Sequence, residues 1–96
     1  MSNRKIFKLD INYKKWRAKV MARDRRICQM PGCNSKLKLQ AHHIRRWADC
    51  LLTRYEVSNG ITLCKICHTR IKNQETAYML LFTKIVIDNE AKNSNR

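Results

Sequence analysis

The chain has 96 residues, which is enough for one small domain with a limited apolar core. Its formal net charge of +14 arises from 21 Lys and Arg against 7 Asp and Glu. Such a charge indicates a polyanionic partner, either a phosphate backbone or an anionic membrane surface. No apolar run approaches the roughly 18 residues of a spanning helix, and no signal peptide is evident at the N-terminus. We therefore expect a cytoplasmic protein that does not cross a membrane.

The N-terminal part of the chain is basic throughout. Residues 1–10 are basic and are expected to be loose. Residues 11–27 are predicted to form a helix, because Tyr13, Trp16 and Val20 fall on one stripe. The basic side chains of this helix are candidates for phosphate contact, with a solvated helix face as the alternative. Those that we assign to nucleic-acid binding are Lys14, Lys15 and Arg17.

Four of the five cysteines form two short-spaced pairs. The first pair is Cys28 and Cys33, separated by a turn that contains Pro31 and Gly32, and the second is Cys64 and Cys67. This spacing is typical of a structural zinc ion held by four thiolates, and disulfide bonds are the alternative. Cys50 has no short-spaced partner and is expected to be a buried or free thiol.

The middle of the chain alternates short strands with a long connection. Residues 36–41 alternate polar and apolar side chains and predict a strand that leads into His42 and His43, and residues 61–63 predict a second strand. Residues 44–58 form a long polar connection, which is more often functional than idle in so small a domain. A helix is predicted from Cys64 to about residue 74.

The C-terminal part is apolar and then polar. Residues 74–87 carry a helical stripe formed by Tyr78, Leu81, Phe82 and Ile85, although a strand would also suit the end of this segment. We expect a helix that covers the core, with a dimer contact as the alternative use of its apolar face. Residues 88–96 are polar and are predicted to be a disordered tail.

Three histidines supply the chemistry that phosphodiester hydrolysis needs, which is a base for water and ligands for a divalent cation. His42 on the strand and His68 on the following helix are placed to hold a cation, and His43 can then act as the base. Neighbouring residues on a helix point about 100° apart, so Cys67 and His68 can serve separate sites. The alternatives are zinc ligation by these histidines and, for Asn59-Gly60, a simple turn.

The segments Leu39-Gln-Ala-His-His-Ile44 and Ser58-Asn-Gly-Ile-Thr-Leu-Cys-Lys-Ile-Cys-His68 closely resemble the HNH endonuclease family. With the upstream cysteine pair, the resemblance covers roughly residues 13–75. It implies a small α+β fold with a ββα-metal core and a four-Cys structural zinc site, flanked by the basic N-terminal helix and the C-terminal helix. The nuclease domain would span residues 11–87.

The resemblance also implies roles for individual residues. His43 would be the general base, Asn59 would orient its loop, and His42 and His68 would hold the catalytic ion. Hydrolysis would leave 5′-phosphate and 3′-hydroxyl ends. Many relatives carry another His where this chain has Lys72, which has no lone pair for a metal. Two protein ligands favour Mg²⁺ or Mn²⁺ over tightly held Zn²⁺, with Ni²⁺ a further candidate.

The predicted function is therefore a metal-dependent endonuclease that nicks or cuts double-stranded DNA. Further phosphate contacts are predicted at Arg45, Arg46, Arg70 and Lys72. The main alternative is a zinc-stabilised DNA-binding module without catalysis. Because HNH proteins include homing endonucleases, restriction enzymes, toxins and phage packaging nucleases, a packaging protein or a second copy of the chain is a candidate partner. The expected location is the cytoplasm of a bacterial or phage-infected cell.

Overall fold

The structure is a computed structural model, and it describes residues 10–46 and 53–94. In chain order the elements are α1 (Ile11–Arg23), β1 (Leu39–His43), a 3-10 turn (Val57–Asn59), β2 (Gly60–Cys64), α2 (Lys65–Arg70) and α3 (Glu75–Ser94). The two strands form one antiparallel sheet against which the helices pack, so the predicted small α+β architecture is confirmed. No helix in these two ranges is long and apolar enough to span a bilayer.

Helix α1 is shorter than the predicted helix over residues 11–27. It begins after Asp10, whose side chain accepts a hydrogen bond from the backbone N–H of Asn12 at 2.8 Å. It ends at Arg23, because Arg25 and Arg26 both adopt left-handed conformations, with φ of 58° and 55°. Two successive left-handed residues cannot continue a right-handed helix, and they turn the chain toward Cys28.

The strands pair in a register that places the histidines beside the start of β2. Leu39 lies opposite Cys64 at one end of the sheet, and His43 lies opposite Gly60 at the other. Strand β1 begins three residues later than predicted, since Lys38 has a left-handed φ of 50° and cannot belong to an extended strand. The strand also includes both histidines, of which His42 was expected on the strand.

The two C-terminal helices also differ from their predicted lengths. Helix α2 ends at Arg70 rather than near residue 74, and Asn73 then turns the chain with a φ of 69°. Helix α3 continues to Ser94, so the prediction of a disordered tail is wrong for residues 88–94. The helix persists because Asn89 and Asn93 continue its inward stripe and donate hydrogen bonds to the Asp24 carboxylate and the Arg23 carbonyl.

The core lies between the sheet and the three helices. Its largest fully buried side chains include Trp16 and Val20 from α1, Ile61 and Leu63 from β2, and Phe82 and Val86 from α3. Gly60 lies where α1 comes closest to the sheet, and its φ of −122° is open to any residue. It is required for space, because a Cβ atom there would lie 2.5 Å from Val20 Cγ2 and 2.6 Å from Trp16 Cζ2.

We predict that Gly60→Ala destabilises the protein by about 2 kcal/mol, because two buried and rigid side chains of α1 would have to move away from the sheet. Urea denaturation measures this loss. Ser58→Ala is the control, since Ser58 is exposed in the adjoining turn and its replacement should leave the unfolding free energy within about 0.5 kcal/mol. Equal stability of the Gly60→Ala variant and the wild type would contradict the packing constraint.

Candidate active site

The four paired cysteines converge on one point at the Cys64 end of the sheet. The sulfur atoms of Cys28, Cys33, Cys64 and Cys67 all lie within 4.8 Å of one another, and all four are free thiols. A regular tetrahedron with zinc–sulfur bonds of about 2.3 Å has sulfur–sulfur edges of roughly 3.8 Å. The Cys33–Cys64 distance is 3.8 Å, so the cluster fits a zinc ion, and the disulfide alternative does not hold for these residues.

The local backbone brings the cysteines of this cluster together and donates a hydrogen bond to one of the sulfur atoms. The turn at residues 30–33 is closed by a hydrogen bond from Cys33 N–H to the Met30 carbonyl, and Gly32 takes a left-handed φ of 84°. The Cys67 backbone N–H donates to Cys64 Sγ at 3.4 Å, and mainly for this reason the pKa of the Cys64 thiol falls to about 7. Burial instead raises the pKa of the Cys28 and Cys67 thiols. Thiolates in these buried positions need a metal ion to balance their charge.

His42 and His68 form a second candidate metal site, separate from the cysteine cluster. Their rings meet edge to face with centroids 5.2 Å apart, and Phe82 closes the inner side of the His42 ring at 5.8 Å. Within the described residues, His42 Nε2 is buried and has no hydrogen-bond partner. Burial, followed by the nearby His68, lowers the pKa of His42 to about 4. A buried neutral imidazole with an unmatched nitrogen fits a metal ligand.

His43 points to the other face of β1, as alternation along a strand requires. Its ring stacks on the Trp16 indole with centroids 3.9 Å apart and an interplanar angle of 10°. His43 Nε2 lies 2.9 Å from the Arg54 carbonyl oxygen, which can only accept, so Nε2 carries the proton and Nδ1 carries the lone pair. Burial is the main cause that lowers the pKa of His43, which keeps the ring neutral near pH 7.

Asn59 holds together the two segments that flank His43. Its side-chain oxygen accepts from Arg45 N–H at 2.7 Å, and its amide donates to the carbonyls of Arg45 at 3.1 Å and Thr53 at 3.2 Å. The Asn59 backbone carbonyl also accepts from Ile44 N–H at 2.9 Å. The buried Asn59 thus fixes the backbone that follows β1 immediately after His43. Asn59 itself lies in a 3-10 turn rather than in a hairpin turn.

The three histidines line one open cleft with a volume of about 970 Å³. Of the basic residues predicted to bind nucleic acid, Lys14 and Arg17 also line it, one helical turn apart on α1. Arg17 also donates to the Leu39 carbonyl at 3.3 Å. None of the described lining residues is acidic, so the cleft is a favourable site for an anion.

The cleft also contains residues that the sequence analysis did not single out as candidate site residues. These are Tyr13, Gln40, Lys65 and Thr69, of which Lys65 adds a cation beside His68. Lys65 is the first residue of α2 and follows Cys64 directly. Its place between the two cysteines Cys64 and Cys67 was a sequence signal that could have indicated that it lies near the site.

The other predicted basic residues lie elsewhere on the exposed surface. Lys15 and Arg46 are exposed, Arg45 lines a separate cavity beside Asn59, and Arg70 lines an apolar cavity at Leu37 and Ile66. Lys72 is exposed and follows the last turn of α2. Trp47 and Cys50 lie outside the described residues.

Comparison with protein families gives one match. Residues 28–74 match the family model for HNH endonuclease, a segment that includes all four clustered cysteines, the three histidines and Asn59. Comparisons with curated proteins and with solved structures give no match.

We predict that Cys28→Ser lowers bound zinc from about one ion per chain to well below one, and lowers the melting temperature, because one of four ligands is lost. Metal analysis by plasma mass spectrometry after desalting measures the first effect. Cys50→Ser is the matched control, since it makes the same chemical change at the cysteine outside the two pairs, and it should retain the metal. Equal metal content in both variants would contradict the four-Cys site.

We predict that His42 makes stability pH-dependent. Its pKa is about 4 in the folded protein and 6.5 ordinarily, so the unfolded chain binds the proton first as the pH falls. The stabilising contribution is present above pH 6.5 and is lost toward pH 4, with an upper size on the order of 3 kcal/mol. Urea denaturation at several pH values, without added divalent ion, should show a shallower dependence in His42→Leu. Identical slopes in the two proteins would contradict the shift.

Proposed function

Because residues 28–74 of this chain belong to the HNH endonuclease family, we propose that the protein is a metal-dependent endonuclease that hydrolyses DNA phosphodiester bonds. One observation supports this most directly. His43, whose tautomer is fixed, lines the same cationic cleft as half-buried His68 and buried His42, and His42 Nε2 has no partner in the described residues. These are the parts that phosphodiester hydrolysis requires.

In this proposal His43 Nδ1 accepts a proton from the attacking water. The Arg54 carbonyl holds Nε2–H, so the imidazolium that forms keeps a hydrogen bond to an acceptor. Because burial lowers the His43 pKa, the ring is neutral and ready to accept a proton near pH 7. Asn59 maintains the backbone geometry next to His43 through its bonds to Arg45 and Thr53.

His42 and His68 would hold the divalent ion. A bound ion would neutralise the scissile phosphate and stabilise the departing 3′ oxygen. Two imidazoles leave the remaining positions to water and phosphate oxygens, which suits Mg²⁺ or Mn²⁺. Exposed Lys72 supports the view that α2 supplies one ligand, His68, rather than two.

The proposed substrate is double-stranded DNA. A net charge of +14 and the cations Lys14, Arg17 and Lys65 at the cleft favour a phosphate backbone, and phosphate contacts of this type carry little sequence information. Lys72 stands where many relatives carry another histidine, and it has no lone pair for a metal. The absence of that ligand favours a second candidate function, a zinc-stabilised DNA-binding module without catalysis. A role in phage packaging would add a protein partner to either function.

We predict that His43→Ala lowers the rate of plasmid cleavage by about 10²- to 10⁴-fold, because the general base is lost. The assay follows nicking of supercoiled plasmid in a series of Mg²⁺, Mn²⁺, Ni²⁺ and Zn²⁺, with the ends of the products mapped. DNA affinity in a gel shift should stay close to that of the wild type, since phosphate contacts remain.

His68→Ala is the comparison that separates the base from the ligand. Activity lost in His68→Ala should return in part as Mn²⁺ is raised, whereas His43→Ala should not respond to metal. Cleavage by His43→Ala at the wild-type rate would refute the base assignment. DNA binding by the wild type without nicking in any of the four metals would favour the binding module.

A further inference from the structure

We propose that Trp16 is a positioning residue for the general base, holding both the His43 ring and the backbone segment to which that ring is bonded. The inference rests on the proposed function, because it assigns a task to Trp16 only if His43 accepts a proton. It extends that function from the motif residues to a residue of α1, which lies outside the segment matched by the family.

The first contact is the stack between the two rings. Trp16 is 2% exposed, and its indole lies 3.9 Å from the His43 ring at an angle of only 10°. This close approach depends on Gly60, the residue opposite His43 in the sheet, because any Cβ atom there would collide with the indole. The indole therefore occupies the space that the glycine leaves, and it restricts rotation of the His43 ring about its side-chain bonds.

The second contact is a hydrogen bond to the backbone. Trp16 Nε1–H donates to the Glu56 carbonyl at 2.7 Å. Glu56 in turn closes a turn by donating its N–H to the Thr53 carbonyl at 3.1 Å, and this turn contains Arg54. Trp16 thus fixes the end of the turn whose Arg54 carbonyl receives His43 Nε2–H. The Trp16 indole therefore contacts the His43 ring, which donates this hydrogen bond, and also restrains the turn that carries its acceptor, the Arg54 carbonyl.

Two neighbouring hydrogen bonds show that α1 restrains the whole segment of residues 55–57. On one side of Glu56, the Tyr55 hydroxyl donates to Asp10, the N-cap of α1. On the other side, Arg23 donates to the Val57 carbonyl at 2.7 Å. Three consecutive residues are therefore bound to the N-terminal end, the middle and the C-terminal end of α1. Trp16 differs from Asp10 and Arg23, which make the other two contacts, because its ring also stacks on His43.

The test replaces Trp16 with Phe, which keeps an aromatic face and removes the Nε1–H donor. We expect kcat to fall by about 10- to 100-fold, with KM and DNA affinity within about twofold, because the base is misplaced while the phosphate contacts remain. We also expect the acidic limb of the pH–rate profile to move to higher pH, since a less covered His43 is easier to protonate. Nitrogen NMR of His43 should show loss of the single Nε2–H tautomer.

A second variant separates the two contacts and protects against a folding defect. Site-specific β-(3-benzothienyl)alanine at position 16 preserves the shape and the stack but has sulfur in place of N–H. It should fold as the wild type does and still show the loss of the single tautomer. Val20→Ala is the control for general destabilisation of α1, because Val20 packs on Gly60 beside Trp16. It should lower stability while leaving the His43 tautomer and the pH–rate profile unchanged.

The outcomes distinguish this inference from the proposed function. A wild type that does not cleave in any divalent ion defeats the proposed function, and the inference with it. The inference alone is defeated if the wild type cleaves DNA and both Trp16 variants, Trp16→Phe and benzothienylalanine, keep the wild-type kcat, pH–rate profile and His43 tautomer. The inference is also overturned if Val20→Ala changes the tautomer and the profile as much as the Trp16 variants do.

Discussion

The rest of the structure depends on the buried ion pair between Arg23 and Asp24 at the end of α1. Arg23 donates to both Asp24 carboxylate oxygens and also to the carbonyls of Val57 at 2.7 Å and Gly60 at 2.6 Å. The Asp24 carboxylate accepts in addition from the Thr62 backbone N–H at 2.9 Å. Because breaking a buried pair strands a charge at a cost of about 3–5 kcal/mol, this pair fixes how α1 docks on the sheet.

The sheet itself needs support from outside, since an isolated two-stranded sheet is marginally stable in water. Its two ends receive different kinds of support. At the end where Leu39 faces Cys64, the cysteine cluster joins residues 28–33 to the start of α2. At the end where His43 faces Gly60, the Arg23–Asp24 pair and Trp16 attach the sheet to α1. The two histidines of β1 lie at the end of the sheet that α1 supports.

Strand alternation gives the adjacent histidines different surroundings. His42 faces α2 and α3, where it meets His68 and Phe82, and His43 faces α1, where it meets Trp16. Both rings are partly desolvated, but only His43 has a carbonyl that fixes its tautomer, whereas His42 Nε2 is unmatched among the described residues. These opposite environments follow from the consecutive positions of His42 and His43 at the end of β1.

The sequence predicted the parts of this molecule whose chemistry dictates residue type and spacing. The two cysteine pairs and the segment from His42 to His68 were recognisable, because the cysteine spacing is typical of a metal site and the whole segment matches the HNH endonuclease family model. The end of α1 and the length of α3 were missed, since the first depends on two left-handed arginines and the second on Asn89 reaching Asp24 across the fold. Such long-range partners leave no periodic signal along the chain.

The contacts that hold His43 and its surroundings were missed for a more general reason. Most of them act on main-chain atoms: Trp16 binds the Glu56 carbonyl, Arg23 binds those of Val57 and Gly60, and His43 binds that of Arg54. Every residue offers a carbonyl, so the side chain at the receiving position carries no mark of the contact. Gly60 is the exception, because the indole occupies the space of its missing Cβ. The glycine of Asn59-Gly60 could be interpreted as a turn residue, but in the structure it marks the position where α1 packs closest to His43.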